Sequence, residues 1–445
     1  MKLDWLRWWG FRLNSALLHW LRARFTKAGG LALCGLAASA IWGVDTTQSM
    51  AYQSFTLFLA LVLVARLAAL RAPGRFSVSR SLPRFGTAGS PLVYQITVEN
   101  LDGRPRDGLS VSEEFADPRP SFAEFRAQKG AVAPRPFWLD RLAGYTRWSR
   151  LLARKRPAQA REFPVPALPP RGRSEVEVEL LPERRGRLSL SGVALSRPDP
   201  LGLAKAFRRE PLPQSVLILP KRYAVPRLAW PGARRYQQGG VALSSSVGDS
   251  QEFMGLRDYR AGDPQRRIHW RSWAKVGKPV VREYEDEYFT RHALVLDTFA
   301  RPGQERAFEE AVSVAASFAG SPLPQDSLLD LLFVGAQSYC FTAGRGLGGT
   351  DHLLELLACA QSCEDKPFSE LHAGVAARHA SLSGVLCVLL GYDEPRRTFV
   401  AHLRALGLPV RAFIVADGPS SIAEDGATHA LEPGRIAEGL ARVRP

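Results

Sequence analysis

The sequence is poor in cysteine, methionine and acidic residues. Its 445 residues include only 5 Cys and 3 Met, and 43 Asp and Glu stand against 59 Lys and Arg. Five widely spaced cysteines, an odd number, exclude a small secreted scaffold held together by disulfides. A hydrophobic fraction of 46% excludes a disordered chain. The length favours two or three domains.

The cationic excess is concentrated in two segments. Residues 1–85 contain 11 Lys and Arg against 2 Asp and Glu, and residues 118–173 contain 13 against 3. Residues 174–445 are nearly neutral, with 33 against 32. Nucleic-acid-binding proteins usually carry their basic surface on the folded recognition domain. Here the excess flanks the most apolar part of the chain, which favours a lipid bilayer as partner and disfavours nucleic acid.

Two apolar runs near the N-terminus predict a transmembrane hairpin within residues 28–75. Ala28 to Val44 and Ala51 to Leu70 each approach the ~20 residues that a helix needs to cross a bilayer. Basic residues flank both outer ends, and the short connection contains no Lys or Arg. By the positive-inside rule we expect two spans with the bulk of the chain in the cytoplasm.

Two alternatives to this hairpin remain open at the level of sequence. The runs could be buried core helices, or the first could be a signal peptide, because Ala38-Ser39-Ala40 resembles a cleavage site. Residues 1–27, with four Trp, are long and aromatic for the start of a signal peptide. They are more typical of a basic helix at a membrane interface.

Residues 76–220 predict a small antiparallel β-sandwich that carries a basic insertion at about 121–170. Short runs with a period of two, such as Ser174 to Leu180, alternate between apolar and polar residues. Within the insertion, Arg141 to Arg156 has the pattern of a basic amphipathic helix. This helix could rest on a membrane, or the insertion could be solvated without a partner.

Residues 291–445 alternate between short apolar strands and helices, starting with the strand His292 to Asp297. This order predicts an α/β domain with a doubly wound, mostly parallel sheet covered on both faces. Ligand sites on such sheets lie at the carboxyl ends of the strands.

The densest motif lies in a signature segment, residues 221–290. It reads Leu256-Arg257-Asp258-Tyr259, Gly262-Asp263, Arg267-Ile268-His269-Trp270, Ala274-Lys275 and Val281-Arg282-Glu283-Tyr284-Glu285. We expect Arg257, Asp263, Arg267 and Glu283 to form charge-assisted pairs. Tyr259 and Trp270 are expected to anchor the segment in apolar surface, and Gly262 to form a turn. The alternative is a groove that binds a peptide or partner loop.

This motif resembles the signature of the bacterial family called domain of unknown function 58. The similarity extends to Arg185-Gly186-Arg187 and Asp199-Pro200-Leu201-Gly202-Leu203, and to a C-terminal order of elements like that of a von Willebrand factor A domain. The resemblance implies a non-catalytic protein of the bacterial inner membrane. It implies two partners, a MoxR-type AAA ATPase and a transglutaminase-like membrane protein, and interaction residues at Arg257, Tyr259, Gly262, Asp263, Arg267, Ile268, Trp270, Lys275 and Glu283.

A von Willebrand A domain can also hold a divalent metal, and this implies a degenerate site at Asp297, Thr350 and Asp393. The two serines of that motif are replaced here by Phe299 and Arg301. A hard cation requires several oxygen ligands, so we expect no cofactor. The alternative function is a metal-dependent ligand receptor or a hydrolase that uses this site.

Other motifs give no support for catalysis. A Gly-x-Gly-x-x-Gly pattern at 344–349 lies after a later strand, whereas a dinucleotide fingerprint follows the first strand of a βαβ unit. Cys359 and Cys363 lack a second ligand pair at zinc spacing.

Overall fold

The computed structural model describes residues 2–42, 49–70, 74–127, 145–155, 158, 161–225, 235–236, 253–261, 263, 265, 268–284, 288–322, 327–344, 349–416 and 426–443. The chain divides into two compact units, Met1–Lys221 and Arg222–Pro445. The finer expected boundaries, at 27/28, 75/76 and 290/291, stay predictions.

The first unit begins with three helices, α1 (Lys2–Arg24), α2 (Lys27–Trp42) and α3 (Ser49–Ala68). The expectation of two transmembrane helices is wrong. Among the described residues only Met50–Ala68 is long and apolar enough to cross a membrane. α2 has 16 residues and therefore rises only about 24 Å, against a hydrocarbon core of about 30 Å.

Two β-sheets follow the helices in the first unit. The strands are β1 (Phe76–Ser81), β2 (Phe85–Thr87), β3 (Leu92–Asn100), β4 (Ser110–Phe115), β5 (Glu162–Pro164), β6 (Arg173–Leu180), β7 (Gly186–Pro198) and β8 (Lys205–Leu219). One sheet has the order β1-β3-β6, and the other has the order β2-β8-β7-β4-β5. Alternate residues of both sheets, such as Ile96, Val178 and Leu195, form one buried cluster. The sheets are not purely antiparallel, because β2 pairs with β8 in parallel.

The basic insertion contributes two helices, α4 (Phe122–Ala127) and α5 (Tyr145–Lys155). Trp148 and Leu151 of α5 are buried with Phe125 of α4, and Trp8 and Phe11 of α1 pack against this cluster. Trp148 and Leu151 are therefore covered by protein, whereas Tyr145 of the same helix is 60% exposed. Residues 141–144 and 156 of the expected helix lie outside the described residues.

The start of α2 is fixed to a turn of the β region. The Thr26 hydroxyl donates a hydrogen bond to the carbonyl oxygen of Gly202 and accepts one from the Gly29 amide at 3.1 Å. The Thr26 amide donates to the carbonyl oxygen of Leu203 at 3.0 Å. Asp199, which is buried, accepts the Ala204 amide and so fixes the turn. We call these residues the α2 joint.

The second unit contains nine strands and six α-helices among the described residues. They are β9 (Arg235–Tyr236), β10 (Phe253–Asp258), α6 (Trp270–Val276), β11 (Val280–Tyr284), β12 (Tyr288–Leu296), α7 (Glu305–Ala319), β13 (Ser327–Val334), β14 (Ser338–Ala343), α8 (Thr350–Cys359), α9 (Ser369–Ala376), β15 (Gly384–Leu389), α10 (Glu394–Ala405), β16 (Val410–Val415), β17 (Thr428–Leu431) and α11 (Ile436–Arg442).

The main sheet of this unit has the order β14-β13-β12-β15-β16-β17, and β9 pairs with the start of β12. It is a mixed sheet: the pairs along β13-β12-β15-β16-β17 are parallel, and β14 and β9 are antiparallel to their neighbours. One face packs on α9 and α10 through residues such as Val375 and Phe399. On the other face, Phe318 of α7 packs against Phe413 of β16, with ring centroids 4.9 Å apart. The alternation of strands and helices is compatible with the expected α/β layers.

Candidate functional site

The carboxyl ends of β12 and β15 meet near the middle of the mixed sheet. β12 lies between β13 and β15 and is parallel to both. The chain leaves β12 toward β13 and later returns to β15 on the other side, which creates a switch point of the kind that binds ligands in α/β sheets. Asp297 follows β12 and is fully buried, and Asp393 directly precedes α10.

Arg396, in the first turn of α10, joins these two carboxylates. Its Nε donates to Asp297 Oδ2, and its Nη1 donates to both oxygens of Asp393 at 3.0 and 2.9 Å. Its Nη2 donates to the carbonyl oxygen of Phe299 at 3.1 Å. Burial alone lowers the pKa of Arg396, but the charges and hydrogen bonds of Asp297 and Asp393 outweigh burial and raise the pKa. The guanidinium is therefore a permanent cation at this edge.

The remaining acceptors of the two carboxylates are also used. Asp297 Oδ1 accepts the Phe299 amide at 3.0 Å, and Asp297 Oδ2 accepts the Leu390 amide at 2.9 Å. Arg301 Nη2 donates to Asp393 Oδ2 at 2.8 Å. The residues at this edge thus satisfy one another by hydrogen bonds and opposite charge.

This arrangement does not fit a divalent metal. Arg396 holds the position between Asp297 and Asp393 that a metal would need, and Arg301 adds a second positive charge. Thr350 is the exposed first residue of α8, and the described hydrogen bonds of this group do not include it. In the part of the chain that the structure describes, no group of three or more His, Cys, Asp or Glu side chains could hold a metal ion.

The signature segment forms a two-stranded hairpin with a short helix in its connection. β10 and β11 are antiparallel, with Asp258 opposite Val280. Ile268 forms an isolated bridge with Val281, which is buried, and α6 follows directly. α6 ends at Gly277, whose φ of 75° lies in the left-handed region that glycine adopts without strain.

A bidentate ion pair fixes the turn that follows β10. Arg257 Nη1 and Nη2 donate to the two oxygens of Asp263 at 2.7 and 2.8 Å. Asp263 also accepts the Arg260 amide at 2.9 Å. The Arg257 hydrogen bonds first, and then the Arg260 amide, lower the pKa of Asp263 to about 2. The carboxylate is therefore ionised throughout the physiological range.

The outer surface of this hairpin combines apolar and basic side chains. Trp270 is 63% exposed and stacks on Trp273, with ring centroids 5.2 Å apart. Leu256 and Val276 are also exposed large hydrophobic residues. We call the following residues the α6 face: Leu256, Arg260, Trp270, Arg271, Trp273, Lys275 and Val276.

Three cations of the α6 face, Arg260, Arg271 and Lys275, are exposed. The charge of Arg260 helps to lower the pKa of Asp263, whereas Arg271 and Lys275 form no ion pair among the described residues. Asp263 is paired with Arg257, and Asp258 with Lys278 at 2.7 Å. The α6 face therefore presents a net positive, partly aromatic surface.

The expected signature residues divide into three groups. The structure brings Arg257 and Asp263 together as expected, and the Tyr259 amide donates to the carbonyl oxygen of Pro279 at 3.0 Å. The expected anchoring role of Trp270 is wrong, because its side chain is exposed. Gly262 and Arg267 lie outside the described residues, and Glu283 is described only as a backbone position of β11 opposite Gly255.

Sequence reasoning missed Arg396 and Trp273. Arg396 follows Asp393 by three residues, the spacing of neighbours on a helix, and this was the available signal. Its other partner, Asp297, lies 99 residues away in the sequence, which no local pattern records. Trp273 follows Trp270 by three residues and could have been placed on the same face of a helix.

No family model matches the chain. A stretch of 193 residues is 27% identical to the uncharacterized protein YeaD of Bacillus subtilis (strain 168), and it covers 43% of this chain and 47% of that protein. The chain thus aligns with about half the length of this curated relative.

Two solved structures align weakly. PapD-like domain 7 of human CEP192 is 12% identical, with 34% of this chain and 89% of that chain covered and a TM-score of 0.16. A GH20 exo-β-N-acetylglucosaminidase from Vibrio harveyi, in complex with N-acetylglucosamine, is 9% identical, with 77% and 57% covered and a TM-score of 0.14. Neither TM-score supports a correspondence of fold or function. The chain is therefore similar, over part of its length, to an uncharacterized bacterial protein.

Proposed function

We propose that this chain is a non-catalytic protein attached to the bacterial inner membrane, and that its second unit docks partner proteins on the cytoplasmic side. α3 supplies the attachment, because side chains such as Leu57, Leu63 and Leu67 are exposed on it and suit lipid better than water. Arg66 lies in the last turn of α3, and Arg75, Arg80 and Arg84 follow this helix in the sequence. Cations at that end favour a cytoplasmic orientation.

The observation that carries the docking proposal is the exposure of the α6 face. Trp270 stacks on Trp273, and Trp270, Leu256 and Val276 are large hydrophobic residues exposed to water. Tryptophan and arginine are the residues that most often dominate binding energy at protein interfaces. The Arg257 and Asp263 pair keeps the hairpin in one conformation, which lowers the entropy cost of binding.

The charge of the α6 face indicates the chemistry of the partner. Arg260, Arg271 and Lys275 are exposed cations of the same hairpin, and Arg271 and Lys275 form no ion pair among the described residues. A partner segment with an apolar anchor flanked by Asp or Glu would complement it. The resemblance described above suggests a MoxR-type AAA ATPase as this partner, with a transglutaminase-like membrane protein as a further component.

The alternative function, a metal-dependent receptor or hydrolase, has less support. Its candidate ligands Asp297 and Asp393 are neutralised by Arg396 and Arg301. A carboxylate that is already paired with a buried guanidinium cannot also supply the negative charge that a metal requires.

A binding measurement tests the docking proposal. The full chain in detergent would be titrated with a purified MoxR-type ATPase from the same genome. We expect Trp270→Ala to weaken binding at least tenfold, and Arg271→Glu with Lys275→Glu to weaken it by a similar factor that decreases as salt is added. The matched control is Arg397→Glu, an exposed cation of α10 outside the α6 face. Equal affinity of the wild type and the Trp270 variant would contradict the proposal.

A further inference from the structure

α1 carries an exposed apolar stripe along one side. At about 100° per residue, its members fall within a sector of about 120° around the helix axis. Each is about half exposed, for example Trp9 at 49% and Leu13 at 54%. We call the following residues the α1 stripe: Trp5, Leu6, Trp9, Leu13, Leu17 and Trp20. Trp5 and Trp9 stack on each other, with ring centroids 6.3 Å apart.

The opposite side of α1 is already occupied by the first unit. Trp8 Nε1 donates to the carbonyl oxygen of Pro120 at 3.0 Å, and its ring meets Phe122 edge to face. Phe11 lies 6.0 Å from Trp148 of α5, measured between ring centroids. The helix therefore has two apolar sides, of which one is packed against α4 and α5. The α1 stripe is not the core-facing side of the helix.

The position of α1 in the first unit is fixed relative to the apolar pair α2 and α3. Leu21, near the end of α1, packs on the cluster that contains Phe25, Ala65 and Ala69. Thr26, which directly follows Phe25, belongs to the α2 joint and binds the start of α2 to the β region. α1 thus continues directly from the end of the pair where the basic residues are concentrated.

We propose that α1 lies in the plane of the bilayer interface, with the α1 stripe in the boundary between the headgroups and the acyl chains. Tryptophan is enriched at this depth because its ring is apolar and its N–H can remain hydrated. The excess of cations in residues 1–85, 11 against 2 acids, complements anionic headgroups. The occupant is therefore a lipid surface, and the direct continuation of α1 into the apolar pair favours it over a protein. This inference rests on the membrane attachment proposed above.

Fluorescence quenching tests this proposal in the full chain. The protein would be reconstituted into vesicles of anionic and zwitterionic phospholipid that carry bromine at either shallow or deep acyl positions. The test variant is Trp5→Phe, Trp9→Phe, Trp20→Phe, and the matched control is Trp270→Phe, Trp273→Phe. If the stripe lies at the interface, shallow bromine quenches a smaller fraction of the fluorescence in the test variant than in the wild type. If the stripe does not lie at the interface, its three tryptophans are not quenched, and their removal raises the fraction of fluorescence that shallow bromine quenches. That result would overturn the proposal.

A second pair of variants covers the case in which the triple variant fails to fold. Leu13→Glu places a charge within the stripe, and Asn14→Glu places the same charge on an exposed position about 100° around the helix. We expect Leu13→Glu to reduce shallow quenching and Asn14→Glu to leave it unchanged. Equal quenching in both would contradict the proposal. Carbonate extraction of the wild type tests membrane attachment separately from the position of α1. Release of the chain by carbonate would contradict membrane attachment itself.

Discussion

Arg396 determines the chemistry at the carboxyl edge of the mixed sheet. Its side chain is 6% exposed, and it faces Asp297, which is 0% exposed, and Asp393, which is 29% exposed. A buried ion pair adds little net stability compared with apolar residues of similar size, but loss of one partner leaves an uncompensated charge. This residue therefore makes the edge a structural centre instead of a cation site.

Replacement of Arg396 tests this role. We expect Arg396→Ala to destabilise the second unit by about 3–5 kcal/mol, because Asp297 would remain buried without its cation. The neighbouring Arg397→Ala removes an exposed arginine that pairs with Glu394 across one helical turn, and should change stability by less than about 0.5 kcal/mol. Urea-induced unfolding of both variants would measure the difference. Similar stability of the two variants would contradict this account of the edge.

A pair of histidines provides a pH-dependent contact between α9 and α10. His372 Nε2 and His402 Nδ1 lie 2.6 Å apart, and one of the two must donate the hydrogen. Burial first, and then the charge of His402, lower the pKa of His372 below its ordinary value of 6.5. The neutral form is thus favoured in the folded state. The stability that this provides is complete above pH 6.5 and is lost as the pH falls through the lowered pKa.

We therefore expect the second unit to become less stable between pH 7.5 and pH 5. His372→Gln should flatten this part of the stability profile, since the glutamine does not titrate. Thermal unfolding at several pH values would measure the slope for each protein. A slope that is identical in the wild type and the variant would show that the pair does not contribute.

At the scale of the element, the α2 joint explains a motif that the sequence alone left without a role. The turn Asp199-Pro200-Leu201-Gly202-Leu203 presents two carbonyl oxygens to Thr26 at the start of α2. A Cβ atom at Gly29 would overlap the carbonyl oxygen of Leu203. Glycine is therefore required at this position because the helix and the turn approach each other closely.

Two adjacent glycines test the joint. We expect Gly29→Ala to destabilise the first unit by about 1–3 kcal/mol through overpacking. Gly30→Ala is the matched control, because nothing lies within 4 Å of a Cβ atom there and alanine favours a helix by up to about 1 kcal/mol. Thermal unfolding in detergent would compare them. A stabilising effect of both substitutions would contradict the close approach.

At the scale of the whole molecule, the sequence predicted elements whose pattern is local. The alternation from Ser174 to Leu180 predicted a strand, and β6 buries Val176, Val178 and Leu180 on one side. The apolar run from His292 likewise corresponds to β12. The apolar runs were less informative, because among the described residues only the second corresponds to a helix long enough to cross a membrane.

Contacts between distant residues could not be predicted. The bidentate ion pair between Arg257 and Asp263 joins residues six positions apart and follows from the motif. Asp297 and Arg396, in contrast, come together only through the order of strands in the sheet. The exposed position of Trp270 was also missed. A single tryptophan has the same signature in a sequence whether it packs inside or lies on a docking surface.

The proposed docking of the α6 face on an acidic surface of a MoxR-type AAA ATPase can be tested directly in cells. The most direct measurement is photocrosslinking in cells, with a photoreactive amino acid at position 270 or, as the control, at position 397. We predict a crosslink from position 270 to an acidic segment of the ATPase, identified by mass spectrometry, and none from position 397. Absence of that product at position 270, or equal yields at the two positions, would contradict the account.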